Sequence, residues 1–245
     1  MGFLKRMMAA VGVGGARVET QVHHRAVRIG EELTGVVVLQ GGSVEQRVER
    51  VNMGLATRYR AEDQDVTHTL WTRPVLGSID LRPGERRELP FRFTVPQGTP
   101  LTLPGTAVWL VTDADIAGAF DPGDHDQLQI LPSREMEVVL EAAGRLGFRL
   151  AGSEVEYHHG RVVQELSFRP PYGASGIQEL ELMLFPAAGG GLDVRLEVDR
   201  RARGLASLFV EEFEQQSFWH VPGALLAQGP EAVARELARR VQARH

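Results

Sequence analysis

A run of aspartates offers the first candidate chemistry in this sequence. Ca²⁺ is bound by several carboxylate oxygens that converge on one point. The spacing does not match an EF-hand loop, because Ile116 and Ala117 occupy positions where ligands would be needed. Aspartates also favour turns, since their side chains bond to nearby backbone groups. We therefore expect turn formation or ion pairing and no resident metal or cofactor, with metal binding as the alternative. The aspartates are Asp113, Asp115, Asp121, Asp124 and Asp126.

The histidines are the next candidates for metal binding. Two pairs are adjacent in sequence, His23 with His24 and His158 with His159. Neighbouring residues of a strand point to opposite faces, so neither pair can chelate one ion. Zinc would need ligands from several separate elements. We interpret these residues as surface or hairpin histidines.

The sequence lacks the side chains that several catalytic mechanisms need. It contains no cysteine, which excludes disulfides, thiol nucleophiles and cysteine-ligated zinc. Lys5 is the only lysine and lies outside any phosphate-loop or Schiff-base motif. Neither a Gly-X-Ser-X-Gly elbow nor a His-Glu-X-X-His motif occurs. Acidic pairs such as Glu179 with Glu181 are typical of solvated faces. We therefore expect that the chain is not an enzyme.

The overall composition is that of a soluble globular protein. Hydrophobic residues make up 43% of 245 residues and the net charge is -5, without the basic stripe that a nucleic-acid binder needs. No apolar run reaches the roughly 20 residues that span a bilayer. Lys5 and Arg6 interrupt the apolar residues at the N-terminus, so no signal peptide is expected. We therefore expect a cytoplasmic protein that does not bind nucleic acid.

An amphipathic helix is predicted over residues 3–11. Its apolar residues recur at helical spacing, and a helix this short needs its apolar face covered to be stable. The face could dock on the chain's own first domain, on a partner protein or on a membrane surface. The residues of this expected docking face are Phe3, Leu4, Met7, Met8 and Val11.

Most of the remaining chain alternates apolar and polar residues over short segments. Turn residues such as those of Gly41-Gly42 and Pro83-Gly84 separate the segments, a pattern typical of antiparallel sandwiches. Ser133 can cap a helix over 134–146, and Pro230 suits the first turn of a helix over 230–244. The sequence thus predicts an all-β chain of two tandem β-sandwich domains, 1–131 and 132–245, with short N-terminal, linker and C-terminal helices.

Several segments resemble the sporulation-control (SpoOM-like) family, whose fold is similar to that of arrestins. The resembling segments include GVGGARVET, LPFRFTVP, VWLVTDADIAGAFDPGDHDQLQI, QELSFRP and LEVDRRARGL, and the resemblance extends to about Leu208. One departure is Ile29, where the family pattern has proline before a Gly-Glu turn. This departure changes the stiffness of the turn and not the assignment.

The resemblance implies two arrestin-like β-sandwich domains in a bacterial cytoplasmic protein with a regulatory or scaffolding role. In arrestins a polar core lies at the domain junction, and by analogy arginines could pair there with the aspartates. The members of this expected interdomain polar cluster are Asp113, Asp115, Asp121, Asp124, Arg200 and Arg201.

We expect the chain to act through an unidentified protein partner. Exposed sheet edges can accept a strand from such a partner, and they also make a homodimer possible. Peripheral membrane contact through the N-terminal helix is one alternative. A small-ligand or metal-binding protein that uses the aspartates is the other.

Overall fold

A computed structural model describes residues 15–61, 64–117, 121–158, 161–173, 176–200 and 217–242. Fourteen strands are present in these ranges: β1 Arg17–Val22, β2 Ala26–Arg28, β3 Glu32–Gln40, β4 Gln46–Ala61, β5 Gln64–Leu76, β6 Ile79–Leu81, β7 Arg86–Thr94, β8 Val108–Ile116, β9 Gly123–Leu131, β10 Arg149–His158, β11 Arg161–Arg169, β12 Ile177–Pro186, β13 Leu192–Arg200 and β14 Ser217–Val221. The helices are α1 Arg134–Arg145, α2 Gly223–Leu226 and α3 Pro230–Gln242, with a short 3₁₀ turn at Ala188–Gly190.

The chain divides into two compact units. The first contains residues 1–102 and 107–131, and the second contains residues 103–106 and 132–245. In the first unit, one sheet has the strand order β1-β3-β7. The other has the order β2-β9-β8-β4-β5, with β6 paired to β4. All of these pairs are antiparallel except β2 with β9.

The two sheets of the first unit pack against each other through alternating apolar side chains. Leu33 and Leu39 from the smaller sheet and Leu55 and Leu110 from the larger are almost completely buried. The ring centroids of Trp71 on β5 and Phe93 on β7 lie 4.7 Å apart. Period-2 alternation places one side of most strands in this interior. The first unit is therefore a β-sandwich.

The second unit contains a five-stranded antiparallel sheet in which β10 to β14 follow one another in chain order. Leu180, Leu182, Val194 and Leu196 are fully buried on its inner face. Among the described residues of this unit, all strands belong to that one sheet.

Helices supply the remaining buried apolar surface of the second unit. Ser133 caps α1, and its hydroxyl accepts a hydrogen bond from the Met136 N–H at 3.3 Å. Val139 of α1 and Val233 of α3 are fully buried. An amphipathic helix buries its apolar stripe in the same way as one face of a sheet, so α1 and α3 contribute buried apolar surface to this unit.

A segment from the first half of the chain belongs to the second unit. Residues Leu103–Thr106 cluster with β10. The Ser153 N–H donates to the Pro104 carbonyl at 2.9 Å, and the hydroxyls of Thr106 and Ser153 are 2.8 Å apart. Gly105 has φ +96, and a Cβ there would lie 2.2 Å from the Ser153 carbonyl oxygen, so this approach requires glycine.

The predicted fold class, mostly β with antiparallel sheets and a few short helices, is confirmed. None of the helices in the described ranges is long and apolar enough to cross a membrane.

Candidate functional site

The structure places the aspartates of the acidic segment on both faces of one sheet. Asp124 on β9 lies opposite Thr112 on β8, and Thr112 is completely buried in the sandwich. Asp113 follows Thr112 on β8, so its side chain points to the other face. Asp113 and Asp124 are therefore separated by the sheet, and the structure does not bring them together.

The aspartates on the outer face interact with β4. The side-chain amide of Asn52 donates to Asp113 Oδ2 at 2.9 Å. Arg50 and Asp115 form an ion pair at 3.9 Å. Both partners lie opposite the aspartates in the β4–β8 pairing, so these contacts contribute to cross-strand pairing.

Asp121 and Asp124 accept hydrogen bonds from the backbone. The Ile116 N–H donates to Asp121 Oδ1 at 2.9 Å, close to the β8–β9 connection. The Thr20 N–H on β1 donates to Asp124 Oδ2 at 2.6 Å. Carboxylates that accept backbone N–H groups satisfy donors that a strand end or a sheet edge leaves open. Their role in this geometry is structural.

Asp126 is the most enclosed of these carboxylates. It forms an ion pair with Arg25 at 3.3 Å, and its Oδ2 is buried with no hydrogen-bond partner among the described residues. Burial raises the pKa of Asp126, and repulsion from Asp124 adds to this, while Arg25 lowers the pKa.

Other predicted site residues lie outside the described part of the chain. These are the docking residues Phe3, Leu4, Met7, Met8 and Val11, together with Arg201. Arg200 ends β13, and the structure describes its backbone only. The docking face and the arginine half of the polar cluster thus stay predictions.

Two of the described histidines have local side-chain partners. His23 Nδ1 lies 3.0 Å from the Thr34 hydroxyl, and His220 Nδ1 lies 2.7 Å from Asp193 Oδ1. Within the described ranges, no group of three or more histidine, aspartate or glutamate side chains is arranged to hold a metal ion.

A sheet face that the sequence analysis missed carries many like charges. On β12, Glu181 lies directly opposite Glu197 of β13, and Glu179 lies opposite Asp199. Like charges directly opposite one another destabilise a sheet. We call this surface the acidic face of the second unit, and its acidic residues are Glu154, Glu156, Glu165, Glu179, Glu181, Asp193, Glu197 and Asp199.

The crowding on the acidic face changes the protonation of its carboxyl groups. Burial raises the pKa of Glu181 to about 7, and repulsion from Glu165 and Glu197 adds to this effect. Burial also raises the pKa of Glu165. Arg195, on the same face, forms an ion pair with Glu197 at 3.9 Å and offsets part of the repulsion. Near neutral pH, the Glu181 carboxyl group is therefore present in both its protonated and its ionised form.

The signal for this face was present in the sequence as alternation along single strands. Asp193, Arg195, Glu197 and Asp199 share one side of β13. The charges of β11 and β12 join them only through the register of the sheet, in which Ser167 pairs with Glu181. That register is not readable from one strand.

A pocket lies in the second unit where β14 meets α2 and α3. Its volume is about 320 Å³. Trp219 and His220 of β14 line it from one side, and Pro222 and Leu225 from another. Three arginines and one glutamate of α3 also line it: Arg235, Arg239, Arg240 and Glu236. We call it the arginine pocket. The sequence analysis described this helix only by its start at Pro230 and missed this polar side.

Strand β5 ends the larger sheet of the first unit. It is 13 residues long and pairs with β4 on one side. Among the described residues no strand pairs with its other side. The β4–β5 pairing is regular from Gln64 to Thr69, and an extra residue, Leu70, then forms a bulge. The regular stretch Gln64–Thr69 is thus an open sheet edge.

Comparison with known proteins assigns the chain to a family. The model of the SpoOM protein family matches residues 4–202. The sporulation-control protein spo0M of Bacillus subtilis (strain 168) is 38% identical over 224 residues, which cover 87% of this chain and 86% of that protein. The crystal structure of Spo0M from Bacillus subtilis matches with a TM-score of 0.82 and 31% identity, covering 94% of this chain and 99% of the other. The resemblance noted in the sequence is confirmed, and this two-unit β-rich chain belongs to the Spo0M family of sporulation-control proteins.

Proposed function

We propose that the chain is a non-enzymatic regulatory protein that acts in the cytoplasm by binding a partner protein. The partner adds a strand to the open edge Gln64–Thr69 of β5. The observation that carries this proposal is that β5 ends its sheet with a regular stretch whose outer side pairs with no other strand among the described residues.

An open edge presents unpaired N–H and C=O groups to an extended segment of another chain. Six residues of strand span about 20 Å, which is a common length for a strand in a sheet. Thr67 and Thr69 are exposed, and Val66 is half-buried. The backbone of this stretch is therefore accessible from one side.

The composition of the open edge also favours partner binding. Proteins commonly protect edge strands with lysine, proline, bulges or inward-pointing charges. The second half of β5 has such protection, with the bulge at Leu70 and a proline at Pro74. In Gln64–Thr69 the only formally charged residue is Asp65, and the valine and threonines favour a strand.

Two other terminal strands in the described structure, β1 and β10, have contacts that cover part of their edges. Two hydrogen bonds join β1 to the larger sheet. The Thr20 N–H donates to the Asp124 carboxylate, and the Thr20 hydroxyl donates to the Thr112 hydroxyl at 2.8 Å in the interior. β10 is covered at Ser153 by the carbonyl of Pro104. No such contact is found on the outer side of Gln64–Thr69 among the described residues, so this stretch of β5 is more open than the edges of β1 and β10 at these points.

The family supports the regulatory part of the proposal. The Bacillus subtilis relative bears the name of a sporulation-control protein, and we infer a control function of the same kind for this chain. Control through binding requires an accessible surface and no reactive group, which agrees with an edge strand as the site.

Site-specific photo-crosslinking in the native cell tests the proposed edge. A benzoylphenylalanine at Thr67 or Thr69 is expected to give a crosslinked product with one defined protein, because an added strand would lie about 5 Å away. The matched control is the same group at Thr94, an exposed threonine on β7. Products of equal yield at all three positions, or none at Thr67 and Thr69, would contradict the proposed edge.

A charge variant separates binding from misfolding. Thr67→Lys with Thr69→Lys adds the charges that natural edges use against pairing, so the crosslink from a third position on β5, such as Gln64, should weaken at least about fivefold. Circular dichroism should stay unchanged because both side chains are exposed. Turnover of a substrate by the purified chain would contradict the non-enzymatic part.

A further inference from the structure

The arginine pocket is a second candidate binding site, separate from the open edge of β5. We propose that it binds a doubly charged oxyanion group, a phosphate monoester or a dicarboxylate.

The charge of the pocket is positive. Three guanidinium groups and one carboxylate from α3 line it, from Arg235, Arg239, Arg240 and Glu236. Glu236 forms ion pairs with Arg239 at 3.2 Å and with Arg240 at 2.9 Å. No ion pair within the described ranges neutralises Arg235, so about two positive charges remain for a ligand. This excess matches a doubly charged anion.

The arrangement of the arginines suits one small oxyanion. Arg235 and Arg239 are four residues apart on α3, so their side chains emerge from neighbouring positions on the same helix face. Guanidinium groups present several N–H donors in a plane and bind carboxylate or phosphate with two parallel hydrogen bonds. Two neighbouring guanidiniums can thus bind several oxygens of one doubly charged ligand.

Arg240 has a fixed position and an unused donor. Its guanidinium lies 4.9 Å from the ring centroid of Trp219, which is almost fully buried. Its Nε is buried and has no hydrogen-bond partner among the described residues. A buried donor without an acceptor lowers stability, so Arg240 gains a hydrogen bond if the displacement of Glu236 lets its Nε turn toward the ligand.

The size and walls of the pocket limit the ligand. A volume of about 320 Å³ is at the small end of ligand pockets. Pro222 and Leu225 contribute an apolar wall. The pocket therefore accommodates a small anion or one anionic group of a larger molecule, and not a whole drug-sized ligand.

Glu236 competes with the ligand for the same arginines. Its carboxylate occupies Arg239 and Arg240 in the free protein. An incoming anion must displace these ion pairs, and its own charge is repelled by Glu236. Neutralising Glu236 should therefore strengthen anion binding, whereas a purely structural role of these residues predicts no such effect.

Titration of the full chain with three anions tests the site. Inorganic phosphate and succinate serve as doubly charged probes and acetate as the singly charged comparison, with the arginine Nε–H signals followed by NMR. We expect saturable shifts at Arg235 and Arg239 with millimolar phosphate or succinate, and at least about fivefold weaker binding of acetate. Whether phosphate or succinate binds more tightly distinguishes the two ligand sources.

Three variants test whether the arginines bind the anion and whether Glu236 opposes its binding. Arg235→Gln with Arg239→Gln should weaken binding at least about tenfold, and Glu236→Gln should strengthen it about threefold or more. Arg134→Gln, on an exposed arginine of α1 away from the pocket, should leave it unchanged. Absence of saturation at about 20 mM of either probe would overturn the proposal. Equal effects of all variants on anion binding would also overturn the proposal, as would weaker anion binding by the Glu236→Gln variant.

Discussion

Replacing Glu181 by glutamine should stabilise the second unit above neutral pH. The pKa of this carboxyl is about 7 in the folded chain, against an ordinary value of 4.5. Between these pH values the folded chain holds a proton that the unfolded chain has released. The free energy of unfolding therefore falls as the pH rises from about 4.5 to about 7. Glutamine does not ionise, so the free energy of unfolding of the variant should not fall in this way as the pH rises.

The size of the effect follows from the two pKa values. A difference of about 2.5 corresponds to at most about 3.4 kcal/mol, at about 1.36 kcal/mol for each pKa unit. Glu181 is only half-buried, so solvent screening reduces the repulsion that it feels. We expect Glu181→Gln to raise the free energy of unfolding by about 1–2 kcal/mol at pH 8, and by much less at pH 5.

Urea unfolding at several pH values measures this difference. Urea is preferred to guanidinium because an added salt would screen the charges under study. Trp219 on β14 pairs with Val194 of β13, so its fluorescence reports on the same sheet. Placing the variants in a Trp71→Phe, Trp109→Phe background leaves Trp219 as the single tryptophan emitter.

The control is Glu141→Gln, which removes an exposed carboxylate from α1 of the same unit. It should not change the pH dependence of unfolding. The reasoning is refuted if Glu181→Gln and the parent chain have the same midpoint at pH 8, or if Glu141→Gln stabilises equally.

Two further predictions concern the backbone. Gly54→Ala should lower the free energy of unfolding of the first unit by about 1–3 kcal/mol, because its Cβ would lie 2.4 Å from the Trp71 carbonyl oxygen. Urea unfolding should show almost no change for Gly98→Ala, where no atom lies within 4 Å of the new Cβ. Ser133→Ala should lower the free energy of unfolding of the second unit by about 1 kcal/mol through loss of the helix cap. Thermal unfolding of Ser133→Asp, which restores an acceptor, should be close to that of the parent; a full loss in this variant would contradict the capping role.

Local features of the fold were predictable because their causes lie within a few residues. The alternation in ELPFRFTVP identifies an extended strand in which Phe91 and Phe93 face the interior, and both are buried. Ser133 is a helix cap in sequence and in structure, since its acceptor and the Met136 N–H are three residues apart. The family resemblance depended on similarly local segments.

Features that depend on strand register were not predictable in the same way. The aspartates of β8 and β9 looked like one cluster, but Asp113 and Asp124 lie on opposite faces because Asp124 is paired with Thr112. A shift of one residue would reverse that result, since the side-chain period of a strand is two.

The sequence by itself determined the strands, the capped helix and the family, because periodicity, turn residues and caps act between near neighbours. Only the tertiary structure decided which charges meet. Glu181 of β12 lies opposite Glu197 of the neighbouring strand β13. The Ser153 N–H of β10 donates a hydrogen bond to the carbonyl of Pro104, from the first half of the chain. Such contacts depend on how distant segments pair and pack, and that choice is made by the burial of the whole apolar interior rather than by any single segment.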